Sequence, residues 1–210
     1  MTLLLTGASG FIGSNFYQHF KDKHHIICID KETGQDLLTC DLPDADVIVH
    51  LAGLSGVRDS LGKSTEYWKT NVIGSQRLFD RYKNKRILYA SSSTAYEPWK
   101  NPYAMSKYSM EQIAPNNSVG MRFTTVYGPG AGENMLIPKI LRNDVQYINV
   151  NHKRDFIHVD DVISAINLMI DKWPFKNIKG IVDVGTGKSH KLTDILKQVG
   201  IDCEQKIGGE

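Results

Sequence analysis

Short apolar runs recur at 3–5, 26–29, 47–49, 86–89 and 119–123, and between them apolar residues repeat at helical spacing over 11–22, 64–83 and 103–114. Runs of this length with little polar alternation predict strands covered on both faces. Strand and helix in alternation predict an α/β fold built on a parallel, Rossmann-type doubly wound sheet. After Gly128-Pro129-Gly130 the rhythm loosens into a helix near 134–142, short strands, a helix at 160–171, a strand at 180–184 and a helix near 192–199. This divides the chain into a cofactor-type domain, 1–128, and a small, shortened C-terminal lobe, mainly 129–210, whose later segments can return to the first sheet. The stretch 31–46 is too short for two full β–helix–β crossovers of about ten residues each, so part of one sheet face is expected to be thinly covered.

With 210 residues, 41% of them hydrophobic, the chain can bury a sizeable core. Twenty-five Lys+Arg against 23 Asp+Glu leave a net charge of +2, with neither sign massed in a block. That balance argues against a nucleic-acid groove or a membrane surface as partner. No apolar run approaches the roughly 18 residues that span a bilayer. The start, Met1-Thr2-Leu3-Leu4-Leu5, has no basic stretch, so no signal peptide is expected. Cys28, Cys40 and Cys203 have no C-x-x-C spacing, which fits a reducing, cytoplasmic setting. His24, His25 and His50 have no second ligand at metal spacing, and no metal is assigned.

Thr6-Gly7-Ala8-Ser9-Gly10-Phe11-Ile12-Gly13 follows the first strand and opens the first helix. Gly7 permits a tight turn, Gly10 close approach to a pyrophosphate, and Gly13 close packing of helix on strand. Free N–H groups around Phe11, Ile12 and Gly13 suit phosphate oxygens. Asp30 ends the second strand, where a carboxylate accepts hydrogen bonds from the adenosine ribose and repels a 2′-phosphate. This favours NAD over NADP, despite the neighbouring Lys31. A strand–turn–helix with no ligand is the alternative.

A tyrosine with a lysine four positions later on a helix sets an ammonium beside a phenol and lowers the phenol pKa, which suits a general base. Three such pairs occur. Tyr17/Lys21 lies two turns into the first helix, far from its phosphate end. Tyr96/Lys100 spans Pro98, which prevents the helix that would align it. Tyr103/Lys107 follows Pro102, a good first-turn residue, and continues as a helix. Upstream, the strand at 86–90 ends in Ser91-Ser92-Ser93-Thr94, whose hydroxyls stand at the C-terminal edge where ligands of parallel sheets bind. A serine-rich turn capping local backbone is the plainer reading of that string.

Taken in order, these motifs resemble the extended short-chain dehydrogenase/reductases that act on nucleotide sugars. The resemblance runs from about residue 2 to 199. It rests on the glycine loop, Asp30, Asp41-Leu42, His50-Leu51-Ala52-Gly53, Asn71, Ser92, Tyr103 and Lys107, on the segment 122–129, on 154–162, and on Val184-Gly185-Thr186-Gly187. It implies that Asp41 and Leu42 flank the adenine and that Leu51, Ala52 and Gly53 line the cofactor, to which Lys31, Asn71 and Phe123 also belong. It implies a catalytic group of Ser92, Tyr103 and Lys107, the last also binding the nicotinamide ribose. Substrate contacts fall on Ser92, Ser93, Thr125, Asn134, Tyr147 and Arg154, with Arg154 on the diphosphate.

Dehydratases of that family carry a carboxylate in the triplet that begins at the catalytic hydroxyl; Ser92-Ser93-Thr94 has none. The triplet, Gly56-Val57-Arg58 and Thr125-Val126-Tyr127 resemble the 4-epimerases, UDP-glucuronate 4-epimerase above all. Gly132 stands where that enzyme has an arginine suited to the sugar carboxylate, and Arg58 and Arg142 are the candidate substitutes. The resemblance therefore implies inversion at C4 of a UDP-hexose through a transient 4-keto sugar. A keto-sugar reductase with the same residues and a non-catalytic NAD-binding regulator are the rival readings. It also implies a homodimer through the helices at 64–82 and 103–114, where Tyr67, Leu78, Phe79 and Tyr82 recur at helical spacing. Burial under the domain's own core would give the same stripe.

Overall fold

The computed structural model describes residues 1–173 and 180–207. The chain begins with β1 (Thr2–Thr6), α1 (Phe11–Phe20), β2 (His25–Ile29) and β3 (Val47–His50). A nearly continuous helix follows as α2 (Val57–Gly62), α3 (Ser64–Tyr67), a π-helical stretch (Trp68–Gly74) and α4 (Ser75–Arg81). Next come β4 (Arg86–Ser92), two single 3-10 turns (Ser93–Tyr96, Pro98–Lys100), α5 (Pro102–Ile113), β5 (Ser118–Phe123) and β6 (Thr125–Tyr127). The remainder is α6 (Leu136–Leu141), β7 (Tyr147–Asn149), β8 (Lys153–His158), α7 (Val159–Asp171), β9 (Gly180–Val184), β10 (Ser189–Lys191), α8 (Leu192–Gln198) and β11 (Glu204–Lys206).

Six strands make one parallel sheet in the order β2-β1-β3-β4-β5-β9. The order reverses between β1 and β3, and the crevice at their C-terminal ends is where ligands of Rossmann-type sheets sit. Leu3, Leu5, Val47, Val49, Leu88 and Met121 face Phe16 of α1 and Val162, Ile163 and Ile166 of α7. The alternate residues Leu4, Ile48, Ile87 and Tyr89 face Leu78 and Phe79 of α4 and Met110 of α5. Covered on both sides, the strands have no reason to alternate polar residues, which is why they read as unbroken apolar runs. Both α7 and β9 return to this sheet, so the 129–210 stretch contributes to the first domain as well as to the smaller lobe.

The segment between β2 and β3 has one 3-10 turn (Lys31–Thr33) and otherwise crosses as loop. Leu37 and Ala45 are buried from it and stand in for the missing helix. Arg77 of α4 donates to the carbonyls of Leu37 (2.8 Å) and Cys40 (2.6 Å), and the Tyr82 hydroxyl donates to that of Pro43. The same packing corrects the reading of the Tyr67, Leu78, Phe79 and Tyr82 stripe. All four are at most 2% exposed, so the stripe is domain core and not a face free for a partner.

The C-terminal lobe is slight. It has a three-stranded sheet in the order β10-β8-β6, the pair β7–β11, and a cluster in which Ile148, Leu192 and Leu196 are buried. Among the described residues no helix is long and apolar enough to cross a membrane.

One buried polar chain ties the sheet to the helices. The Ser75 hydroxyl donates to the Asn71 carbonyl (2.6 Å), so it accepts from His50 Nε2–H (2.8 Å). His50 Nδ1 is then left to accept from the Thr6 hydroxyl (2.7 Å). Burial, with Lys107 nearby, pulls the His50 pKa down to about 3, so the ring is a neutral structural group. The unfolded chain takes up this proton near pH 6.5 and the folded chain does not, so stability is complete above pH 6.5 and declines as pH falls toward 3. We predict a loss of about 2 kcal/mol between pH 6.5 and pH 5 from this group. Urea unfolding at both pH values checks it: His50→Gln, which keeps a donor and an acceptor, should show a flatter pH dependence, and equal slopes would contradict the assignment.

Candidate active site

Gly7 turns the chain out of β1 at φ +73°, a left-handed conformation that costs glycine nothing. A Cβ there would lie 2.6 Å from Ala52 N, so the turn rests directly on the Leu51-Ala52 backbone beyond β3. A Cβ at Gly13 would lie 2.0 Å from the Gly7 carbonyl oxygen. The helix therefore starts hard against the turn. Gly10 is the N-cap of α1 and has no side-chain oxygen to offer, which leaves the first-turn N–H groups uncapped and facing the crevice.

Asp30 completes the cradle in a way that its position in sequence did not show. Its Oδ2 accepts from Ser9 N (2.8 Å) and its Oδ1 from Glu32 N (2.9 Å), so the carboxylate fixes the glycine loop from the neighbouring strand. Each oxygen keeps a further lone pair for a ribose hydroxyl. Close backbone approach, uncapped N–H groups and a buried carboxylate at the end of β2 fit a dinucleotide. Lys31 is turned outward beside Asp36 (3.7 Å). Asp41 is exposed, whereas Leu42, Leu51 and Ala52 are half-buried against the core. Phe11 and Ile12 pack on the α1 side, and the Phe123 side chain is core.

The second half of the site is built by α5 against the end of β4. Asn101 caps the helix by accepting from Ala104 N (2.8 Å), and Pro102 occupies the first turn. That start fixes Tyr103 in the first turn of α5 and Lys107 one turn further along. Lys107 Nζ donates to the Ala90 carbonyl (2.8 Å) and Ser92 hydrogen-bonds Tyr103. Thr94 donates to Ser92 Oγ through its N–H (3.2 Å) and its hydroxyl (3.0 Å), fixing that oxygen. Ser93 begins the 3-10 turn beside it.

Asn71 holds the facing wall. It accepts from Leu54 N (2.7 Å) and donates to the Leu54 carbonyl (3.0 Å) and to Ser106 Oγ (2.9 Å), joining the loop beyond Gly53 to α5. Its place on the π-helical stretch is a widening of the helix that often marks functional positions. A Cβ at Gly53 would stand 3.0 Å from Asn71 Oδ1 and 3.2 Å from Lys107 Nζ, so Gly53, Asn71 and Lys107 meet at one point.

The electrostatics differ from those implied by spacing alone. Burial pulls Lys107 down to about 8, with Glu111 acting in the opposite direction. The Tyr103 phenol is pushed up by burial, and the hydrogen bond from Ser92 is what pulls it back. Burial therefore outweighs the neighbouring polar groups, and the phenol is raised rather than lowered as the tyrosine–lysine spacing implied. The two other tyrosine–lysine pairs are not aligned for chemistry. Lys21 donates to Gln18 Oε1 (2.8 Å). Tyr96 ends a turn before Pro98 and donates to Asp183 Oδ2 (2.6 Å), while Lys100 pairs with Glu97 (2.7 Å).

Glu111, one turn beyond Lys107, escaped the sequence reading. It accepts from the Ser91 hydroxyl (2.5 Å) and, bidentately, from Arg122 Nε (2.9 Å) and Nη2 (2.7 Å). The spacing Tyr103, Lys107, Glu111, at i, i+4 and i+8, was the signal available. The remaining candidates lie on the smaller lobe: Thr125 on β6, Asn134 exposed before α6, Tyr147 on β7 and Arg154 exposed on β8. Arg154 Nη1 donates to the Lys153 carbonyl (2.9 Å). Arg58, from the first domain, lies over the Tyr147 ring (5.2 Å) and links the two parts. Arg142 donates to the Glu133 carbonyl (2.7 Å), next to Gly132.

Comparison with known proteins agrees with this geometry. A putative UDP-glucose 4-epimerase of Methanocaldococcus jannaschii is 29% identical over 252 residues, covering 93% of this chain and 81% of the relative. A UDP-N-acetylglucosamine 4-epimerase from Methanobrevibacter ruminantium, solved with UDP-N-acetylmuramic acid, superposes with a TM-score of 0.84 at 25% identity, covering 99% of this chain and 86% of that one. A UDP-glucuronic acid 4-epimerase from Bacillus cereus, solved with UDP-glucuronic acid and NAD, gives 0.81 at 25% identity, with 99% and 86% covered. The family model described as the NAD dependent epimerase/dehydratase family matches residues 3–185. The chain belongs to the NAD dependent epimerase/dehydratase family, and its cofactor is NAD.

Proposed function

We propose that the protein is a nucleotide-sugar 4-epimerase acting on a UDP-hexose. The observation that carries this is the seating of Tyr103, Lys107 and Ser92 together at the C-terminal end of β4, beside Gly53 and across the crevice from the glycine loop. Bound NAD supplies a hydride acceptor that can return the hydride, so no net redox change is needed. The protein's part is proton handling and orientation. Tyr103 takes the proton from the sugar C4 hydroxyl and gives it back after the 4-keto sugar has turned over. Ser92, already fixed by Thr94, hydrogen-bonds the same oxygen. Lys107, with a pKa of about 8, is mostly ammonium at pH 7 and supplies the charge that stabilises the Tyr103 phenolate as it forms.

The triplet 92–94 presents only hydroxyls, which suits proton transfer at one carbon better than elimination of water. Arg154 provides paired donors for the diphosphate, Asn134 and Tyr147 are its companions from other segments of the lobe, and Thr125 and Ser93 are assigned to the sugar. Gly132 offers no guanidinium, Arg142 is engaged by the Glu133 carbonyl and Arg58 is stacked on the Tyr147 ring, so a neutral hexose suits the sugar end better than a uronate.

Incubation with NAD and UDP-glucose, UDP-galactose, UDP-glucuronate or their N-acetyl relatives, followed by separation of products, tests this. The 4-epimer of a neutral hexose should appear without accumulation of NADH. Tyr103→Phe should slow turnover at least about 100-fold while NAD binding is unchanged. Steady NADH formation would replace the epimerase with a net oxidoreductase, and failure of every UDP-sugar to bind would overturn the reading.

We also propose a homodimer. On the helix 64–81 and on α5, four large apolar side chains are exposed, Trp68 (46%), Ile73 (48%), Met105 (40%) and Tyr108 (37%), and a second copy of the chain would cover them. Ultracentrifugation at micromolar concentration should find a dimer, and Ile73→Glu with Met105→Glu a monomer. A monomeric wild type would refute it.

A further inference from the structure

Three consecutive residues of β4 each hold one residue of α5. The Ala90 carbonyl takes Lys107, the Ser91 hydroxyl binds Glu111, and Ser92 binds Tyr103. On the helix these are one stripe at successive turns. The middle rung extends across the sheet. Ser91 is in register with Arg122 on β5, and Arg122 with Asp183 on β9. Arg122 bonds Glu111 bidentately, the Tyr96 ring lies 4.1 Å from its guanidinium, and the Tyr96 hydroxyl donates to Asp183. The Glu111 side chain is 0% exposed and that of Arg122 13%. A carboxylate removed from water this completely must be fully bonded. Here it is, by three donors from two strands.

We propose that Glu111, held by Ser91 and Arg122, is a positioning residue that keeps Lys107 seated on Ala90 and keeps a positive charge beside Tyr103. The groups facing Lys107 leave this task to Glu111. From α5 itself come Tyr103 and Glu111; from β3, His50, which burial keeps neutral; from the π-helical stretch, the Asn71 amide; from β4, the Ala90 carbonyl. Beside the neutral Ala90 carbonyl, Glu111 is the charged group that favours the ammonium against burial. Arg122 moderates it, since a carboxylate already bonded to a guanidinium attracts a second cation less strongly. The pair therefore sets the charge of Lys107 between two limits. The inference rests on the catalytic reading of Tyr103 and Lys107, but its test does not require turnover.

The sign of the effect separates this role from a purely structural tie. Protein labelled with ¹³C at lysine Cε is titrated by NMR, and the Lys107 signal is assigned by its absence in Lys107→Arg. In Glu111→Gln the carboxylate is gone and Arg122 is left unpaired, so the Lys107 midpoint should fall by about one pH unit. In Arg122→Gln the carboxylate is freed, so the midpoint should rise above that of the wild type. Opposite shifts support the proposal. Midpoints within a few tenths of the wild type in both variants would reduce the cluster to a structural tie and overturn it. If Glu111→Gln does not fold, Arg122→Gln decides alone: a rise supports the proposal and no shift overturns it. Absence of epimerase activity would leave these titrations unchanged, so failure of the two readings is distinguishable.

Discussion

The docking of α5 on the end of β4 is the contact on which the proposed chemistry depends. Tyr103 and Lys107 have no catalytic meaning as a spacing; Tyr17/Lys21 and Tyr96/Lys100 have the same one. What distinguishes the third pair is that Asn101 and Pro102 start the helix at a defined residue and the 90–92 backbone and hydroxyls hold it there. A shift of α5 by one residue would turn the stripe about 100° and remove all three rungs together.

Such docking forces charge into a place without water. Lys107, Glu111, Arg122 and His50 all lie at or under this contact, and their charges are resolved in three ways. Glu111 and Arg122 neutralise each other, His50 gives up its proton and is threaded between Thr6 and Ser75, and Lys107 keeps a proton that burial makes easy to lose. A lysine near its midpoint at physiological pH beside a phenol is costly as structure and useful as chemistry. The glycine loop is simpler: backbone close enough that no Cβ fits, with one carboxylate reaching across to hold it.

Much of this was legible in the sequence because it depends on local rules. Unbroken apolar runs marked the doubly covered strands, Pro98 ruled out one tyrosine pair and Pro102 favoured another. The short stretch after Asp30 announced the missing crossovers, though not that Leu37 and Ala45 would fill the gap. What stayed hidden depends on which strands become neighbours. The row Ser91–Arg122–Asp183 exists only once β4, β5 and β9 are in register, and only then does Tyr96 become the lid of an ion pair. The stripe Tyr67, Leu78, Phe79 and Tyr82 has one pattern for two fates, core or interface, and burial alone decides between them. The elevated phenol of Tyr103 was likewise unreadable, since spacing reports the lysine next to it but not the loss of water around both.

The central claim is that the glycine loop and the α5–β4 contact form the two walls of a single site. A crystal structure of the protein with NAD and UDP-glucose tests it most directly. The account predicts the pyrophosphate at the start of α1, and the sugar C4 oxygen within about 3 Å of both the Tyr103 hydroxyl and Ser92 Oγ. A sugar bound with C4 turned away from Tyr103, or a dinucleotide bound without contact to Gly10 and Asp30, would contradict it.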